Sequence, residues 1–184
     1  VTGVQTCALP ILMAALFEET GRYIAMRFLV KPMDFPNAFM YGAGHGGVEA
    51  MLLCGVASIN NIASAVMINS GTMSAQLATL DAEKAADTAA ALSALWTTPS
   101  LTFFAGGVER IIAVVLHLSL SILVFQSIRK KSQKDLLNAY LFHFVIDSLS
   151  VLLSAVASVW VVELVTALVT GGAVLMARYA CMEE

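Results

Sequence analysis

Charged side chains and histidines in this chain stand at helical spacings inside segments that are otherwise apolar. The first group is Glu18, Glu19 and Arg22, in which the arginine follows the two acids by four and three residues. On a helix, one guanidinium can reach back to either carboxylate. One acid is then left without a cation, and an unpaired carboxylate is what a general base requires. The alternative is a structural ion pair between helices.

The second group is His45 and Glu49, four residues apart within the sequence GAGHGGVE. On a helix this spacing places both side chains on one face, where they can ligate one metal ion or hydrogen-bond one water. The flanking glycines let another backbone approach closely. A phosphate-binding loop is a weak alternative, because no GK[ST] follows and no strand precedes. A plain loop at the membrane interface is the other alternative.

Two later apolar segments also carry histidines. His117 lies eight residues after Glu109, so both stand on one stripe of a helix. His143 and Asp147 are four residues apart, so the acid can orient the imidazole ring and fix its tautomer. His117 alone is equally consistent with a hydrogen-bonding residue of a membrane helix core.

These groups together predict one buried polar site. An ionisable group at membrane depth costs at least about 2.5–3.5 kcal/mol on insertion scales, so such groups mark function. We expect a site built from four helices, with a carboxylate base, imidazoles and an arginine clamp. Glu163, in the last apolar segment, has no partner nearby in the sequence and receives no role.

The composition places these groups in a bilayer. The 184 residues are 59% hydrophobic and 12% charged, whereas soluble domains average about 45–50% and about 25%. A net charge of −3 offers no basic face to nucleic acid, so no nucleic-acid partner is expected. The sequence predicts an all-α, multi-pass transmembrane helical bundle with the lipid bilayer as its partner.

Apolar runs of about 20 residues are long enough to cross a membrane. They predict a single membrane domain over residues 12–184 with about five spans, near residues 12–30, 46–69, 100–128, 136–156 and 159–177. The connection 70–98 is expected to form an extracytoplasmic amphipathic helix.

The basic residues of the connections orient these spans. On alternating sides, one face collects seven Lys and Arg residues, against Lys84 alone on the other. The seven are Arg27, Lys31, Arg129, Lys130, Lys131, Lys134 and Arg178. The positive-inside rule makes their face cytoplasmic, which predicts a multi-pass protein of a cell membrane.

The first eleven residues, VTGVQTCALPI, resemble the conceptual translation of a common sequencing adapter. No Lys or Arg precedes Arg22, so the segment lacks the basic region with which a secretory signal begins. We expect the natural sequence to start near Leu12, on a fragment that lacks N-terminal helices. Cys7 then drops out, and Cys54 and Cys181 are interpreted as packing residues rather than a disulfide or zinc site.

The order of EExxR (residues 18–22), a span with His117, and HxxxD (residues 143–147) resembles a superfamily of intramembrane proteases. That superfamily includes the CAAX prenyl endopeptidases and the bacteriocin-processing enzymes. FEETGR together with GxGHGGxE is more similar to the YhfC family of bacterial intramembrane metalloproteases, over about residues 12–150.

The chain departs from the wider superfamily in three ways. That superfamily has EExxxR, so Arg22 here is displaced by about 100° of helix rotation. Ala113 stands where the superfamily has Phe, and the pair of His45 and Glu49 is additional.

The resemblance implies hydrolysis of a peptide or membrane-protein substrate by a water activated between Glu18, His117 and His143. Asp147 would support His143, and the implied catalytic set also includes Glu19 and Arg22. If Zn²⁺ takes part, the candidate ligands are His45, Glu49, His117 and His143. A catalytic zinc usually has three protein ligands and a water. A metal-free, glutamate-activated water is the other mechanism.

The rival interpretation is an ion- or proton-coupled transporter, or a ligand-binding membrane protein, whose buried Glu, Asp and His relay protons or hold an ion. A transporter of the inverted-repeat type has two similar halves, and the sequence shows no such repeat. A third interpretation is a non-catalytic scaffold that retains the protease fold.

Overall fold

A computed structural model describes the backbone of residues 2–182 and the side chains of residues 10–182. It confirms an all-α, multi-pass transmembrane helical bundle. The elements are α1 (Thr2–Ile24), α2 (Phe35–Ala50), α3 (Val56–Asn69), α4 (Thr72–Leu77), α5 (Ala82–Thr97), α6 (Ser100–Lys130), α7 (Gln133–Ser154) and α8 (Val159–Met182). Cys7 lies outside the described side chains, and the adapter origin of residues 1–11 stays a prediction.

Two π-helical turns extend these helices. Ala25–Leu29 continues α1, and Met51–Gly55 joins α2 to α3. The second turn makes Phe35–Asn69 one helix of 35 residues.

By length and composition, four helices of the described chain can cross a membrane: Phe35–Asn69, Ser100–Lys130, Gln133–Ser154 and Val159–Met182. The segment expected as a first span, residues 12–30, is helical almost throughout but falls outside this set. It carries Glu18, Glu19 and Arg22 near its middle, and these charges lower its hydropathy.

The helix expected to start at residue 46 begins at Phe35 instead. Its N-cap is Asp34, whose side chain accepts a hydrogen bond from the Asn37 amide at 3.0 Å, and Pro36 stands in the first turn. His45 therefore lies well inside a helix rather than at its cytoplasmic start or in a loop. The glycines weaken helix propensity, but packing against α6 outweighs that cost.

The connection expected as one amphipathic helix is two. Between residues 70 and 98 the chain forms α4 and α5, and Asp81, the N-cap of α5, separates them. Asp81 accepts a hydrogen bond from the Lys84 amide at 2.9 Å and pairs with its ammonium group at 2.8 Å. Because Asp81 has an extended backbone and caps α5, the helix is interrupted there.

Helix α6 is the centre of the bundle, with α2, α7 and α8 packed around it. Its fully buried residues include Leu120, Leu123 and Val124, and α8 meets the core through Ala173 and Ala177. Small residues at such contacts let membrane helices approach closely. In lipid the hydrophobic effect does not drive helix association, so this close van der Waals packing contributes instead.

The contact between α2 and α6 is closest at two glycines. A Cβ on Gly42 would lie 2.9 Å from the His117 carbonyl oxygen and 2.9 Å from Leu118 Cα. A Cβ on Gly46 would lie 3.0 Å from Val114 Cα. Because these neighbours are backbone atoms, they cannot move aside as a flexible side chain can. Gly42 therefore has no room for a Cβ, and a Cβ at Gly46 would require the α6 backbone to shift by a few tenths of an ångström.

Gly42→Ala is expected to destabilise the bundle by about 1–3 kcal/mol, since the added methyl group overpacks the α2–α6 contact. Gly44→Ala is the matched control, because a Cβ there meets nothing within 4 Å. It should be neutral or stabilising by up to about 1 kcal/mol, as alanine favours helix over glycine. Unfolding midpoints in detergent measure both, and equal midpoints for the two variants would contradict the close contact.

Candidate metal and catalytic centre

Four helices bring the sequence-predicted groups to one place. Helix α1 contributes Glu18, Glu19 and Arg22, α2 contributes His45 and Glu49, α6 contributes His117, and α7 contributes His143 and Asp147. The ring centroids of His45 and His117 lie 4.7 Å apart, and those of His117 and His143 lie 5.5 Å apart. The three imidazoles thus converge from three different helices.

Four of these residues form a group with metal-ligating geometry. One ligand atom each from Glu18, His45, Glu49 and His117 lies within 4.8 Å of all the others. His45 Nε2 is 3.1 Å from Glu18 Oε2, and His117 Nε2 is 2.5 Å from Glu49 Oε2. Imidazole nitrogens and carboxylate oxygens are zinc donors, and the two carboxylates offset the charge of a dication.

Arg22 lies behind His117 and fixes its ring. The guanidinium Nη2 donates to His117 Nδ1 at 2.8 Å, while Nη1 donates to the His117 carbonyl at 2.7 Å and to Ser121 Oγ at 2.8 Å. A guanidinium only donates, so Nδ1 must accept and Nε2 is the nitrogen presented to Glu49. Arg22 is fully buried and positions His117, and its part in catalysis stays a prediction.

Glu19 plays the same part for His143. Its Oε1 accepts from His143 Nδ1 at 2.7 Å and lies 3.2 Å from Arg22 Nη2. His143 Nε2 then faces Glu18 at 3.8 Å and Asp147 at 3.6 Å. The carboxylate that orients this ring is therefore Glu19 from α1, and not Asp147, whose one-turn spacing suggested that role.

The two adjacent acids of α1 have different surroundings. Glu19 is fully buried and paired with Arg22, whereas the Glu18 side chain is 35% exposed and faces the histidines. The motif has one arginine for two acids, and Glu18 is the acid that is not paired with it. A partly accessible carboxylate beside a cavity can exchange a proton with water.

Sequence reasoning missed the partner of Glu49. Arg110 Nη1 donates to Glu49 Oε1 at 3.1 Å, and its other nitrogen bonds its neighbour Glu109. Arg110 and Glu49 are far apart in the chain, so no spacing rule links them. The hydrogen bond between Thr20 and Tyr140, at 2.7 Å, which ties α1 to α7, was missed for the same reason.

These groups surround a common cavity of about 120 Å³. Glu18, Glu49, His117, His143 and Asp147 all line it. Since a water occupies about 30 Å³ in the liquid, the space holds a few water molecules beside the carboxylates and imidazoles. The arrangement can hold a cation, activate a water and stabilise a developing negative charge within a membrane bundle.

Comparison with known proteins gives a consistent picture. The family model described as YhfC intramembrane metalloprotease matches residues 8–166. A curated relative, "Uncharacterized membrane protein YhfC" of Bacillus subtilis (strain 168), is 39% identical over 142 residues. The alignment covers 77% of this chain and 53% of the relative, so the chain spans about half the length of the curated relative. No solved structure matches the chain.

Breaking the buried pair of Arg22 and Glu19 should destabilise the bundle strongly. Arg22→Met and Glu19→Gln are each expected to cost about 3–5 kcal/mol, because each removes a partner from a buried charge. The double variant should cost less than the two single losses added together, since it leaves neither charge unpaired. Unfolding in detergent measures this cycle.

Lys84→Met is the control for this cycle, because Lys84 is an exposed residue of α5. It should change stability by less than about 0.5 kcal/mol. Strictly additive effects of Arg22→Met and Glu19→Gln would show that the two side chains do not interact.

Proposed function

The chain belongs to the YhfC intramembrane metalloprotease family, and from this premise we propose that it hydrolyses a peptide bond of a peptide or membrane-protein substrate, within or at the edge of the membrane. The observation that carries the proposal is the convergence of Glu18, Glu49, His117 and His143 on one cavity inside an apolar bundle, with His45 in contact with Glu18. Such groups are costly to bury at membrane depth, so their presence there indicates a function.

The donor set fits a zinc ion. His45, Glu49 and His117 would hold it, because two imidazoles and one carboxylate are a set found at catalytic zinc sites, which leave a position open for water or substrate. Because His117 Nδ1 accepts from Arg22, its Nε2 would release a proton on binding the ion, and the guanidinium would offset the charge of the ring. When bound, such an ion polarises a carbonyl oxygen and acidifies water. His143 was also a candidate ligand, but it lies outside the group of four whose ligand atoms are mutually within 4.8 Å.

Glu18 is the proposed general base. Its carboxylate lines the cavity and is free of any arginine, so it can accept the proton of the attacking water. After the carbonyl carbon has been attacked, the same carboxyl group can return the proton to the leaving amine. Its Oε2 lies 3.1 Å from His45 Nε2, so the proposed base stands directly beside one of the proposed ligands.

His143 is the proposed oxyanion partner. Glu19 holds its Nδ1, so Nε2 is directed into the cavity toward Glu18 and Asp147. When Nε2 carries a proton, it can donate to the oxyanion that forms on the scissile carbonyl, and Glu19 balances the charge of the ring. Low-dielectric surroundings strengthen each of these interactions relative to water.

The metal assignment predicts zinc content. Purified wild-type protein, loaded with zinc and dialysed, should retain about one zinc per chain by elemental analysis. His45→Ala and His117→Ala should lose it, because each removes one of three ligands. His143→Ala should retain zinc and lose activity. Absence of zinc from an active wild-type protein would support the metal-free mechanism, and zinc loss in His143→Ala would overturn the ligand set.

The catalytic assignment predicts that Glu18→Gln lowers kcat on a single-span membrane peptide by about 10²–10⁴-fold, the usual contribution of a general base. Zinc should remain bound, because the three proposed ligands are intact. Glu83→Gln, on the exposed helix α5, is the matched control and should turn over as wild type does. Undiminished cleavage by Glu18→Gln would contradict the proposal, and ion- or proton-coupled flux without any cleavage would support a transporter.

A further inference from the structure

A second cavity opens beside the first, where α6, α7 and α8 meet near the α7–α8 connection. Its volume is about 310 Å³. Glu109, Ser150 and Thr166 line both cavities, so the two adjoin. A peptide whose scissile bond lies beside Glu18 would therefore have a neighbouring side chain within reach of this second space.

Glu163 lines the second cavity and lacks a full set of partners. The residue is 7% exposed, and its Oε2 has no hydrogen-bond partner among the described residues. Leaving a buried carboxylate oxygen unsatisfied is costly, because its water shell is lost without replacement. The proposed hydrolysis does not use Glu163, so it does not explain why a carboxylate is buried at this position.

The walls of this cavity offer Glu163 no donor of their own. The hydroxyls of Ser150, Ser154 and Thr166 each donate to a backbone carbonyl three or four residues back on the same helix. Arg110, which interacts electrostatically with Glu163, is bound to Glu49 and Glu109. The donor that Glu163 lacks can come from a molecule in the cavity, a water or a bound group, and the carboxylate favours a cation there.

We propose that this second cavity is a specificity pocket for a basic side chain of the substrate, with Glu163 as its counter-ion. The inference rests on the proposed peptidase function and adds to it the chemistry of the substrate: a Lys or Arg close to the scissile bond. A carboxylate paired with an ammonium or guanidinium group forms charge-assisted hydrogen bonds, which are about twice as strong as neutral ones. The second carboxylate of the lining, Glu109, is already paired with Arg110, so Glu163 is the group that attracts the cation.

The test uses a series of single-span Leu/Ala peptides. Each carries one Lys, or norleucine as an uncharged control of similar length, at successive positions along the span, and mass spectrometry maps the cuts. Wild-type protein should prefer Lys over norleucine by about 10–100-fold in kcat/KM at one position relative to the cut. Glu163→Gln should reduce that preference to near unity and leave the norleucine peptides unaffected.

Two further variants control for folding and charge. Glu163→Asp keeps the carboxylate and should retain a preference for Lys, whereas Glu83→Gln should behave as wild type. If Glu163→Gln does not fold, the preference of wild type and of Glu163→Asp for Lys over norleucine peptides still tests the proposal. No preference for Lys in wild type, or an equal loss on Lys and norleucine peptides in Glu163→Gln, would overturn the proposal.

Failure of the proposed function gives a different result. If wild type cleaves none of the peptides, peptide hydrolysis is not supported, and binding of the same peptides to Glu18→Gln protein tests the pocket by itself. Fluorescence anisotropy should then show tighter binding of the Lys peptide, and Glu163→Gln introduced into that protein should abolish the difference. Equal binding of Lys and norleucine peptides would overturn the pocket.

Discussion

The guanidinium of Arg22 is fully buried in an apolar bundle, and the site is arranged around it. A buried charge without partners costs several kcal/mol, so the helices must close with Glu19, His117 and Ser121 around this group. That closure fixes both rings. His117 accepts at Nδ1 and His143 donates from Nδ1 to Glu19, so each directs its Nε2 into the same cavity.

The second constraint is the close approach of α2 to α6. Gly42 leaves no room for a Cβ against the α6 backbone and Gly46 leaves little, and His45 and Glu49 lie on the same helix beside that contact. The distance between the two helices therefore sets the distance between Glu49 and His117. The glycines of GAGHGG thus have a packing role, and the metal-ligating group depends on it as much as on the ligands.

The sequence predicts the bilayer, the helical class and the one-turn pairs, because apolar run length and helical spacing are local properties. It does not predict partners that lie on different helices. Glu19 rather than Asp147 orients His143, and Arg110 binds Glu49. Helix α2 starts early because packing overrides its glycines, and the surroundings of Glu163 exist only once α6, α7 and α8 have packed.

We propose a zinc site formed by Glu49 and two imidazoles on α2 and α6, where the α2 glycines allow the close helix contact and Arg22 holds the ring of His117. X-ray absorption at the zinc edge of the purified, zinc-loaded protein tests this most directly. Such a site should show nitrogen and oxygen ligands at about 2.0–2.2 Å with the scattering pattern of two imidazoles. A sulfur shell at about 2.3 Å, or a spectrum unchanged in His45→Ala and His117→Ala, would contradict it.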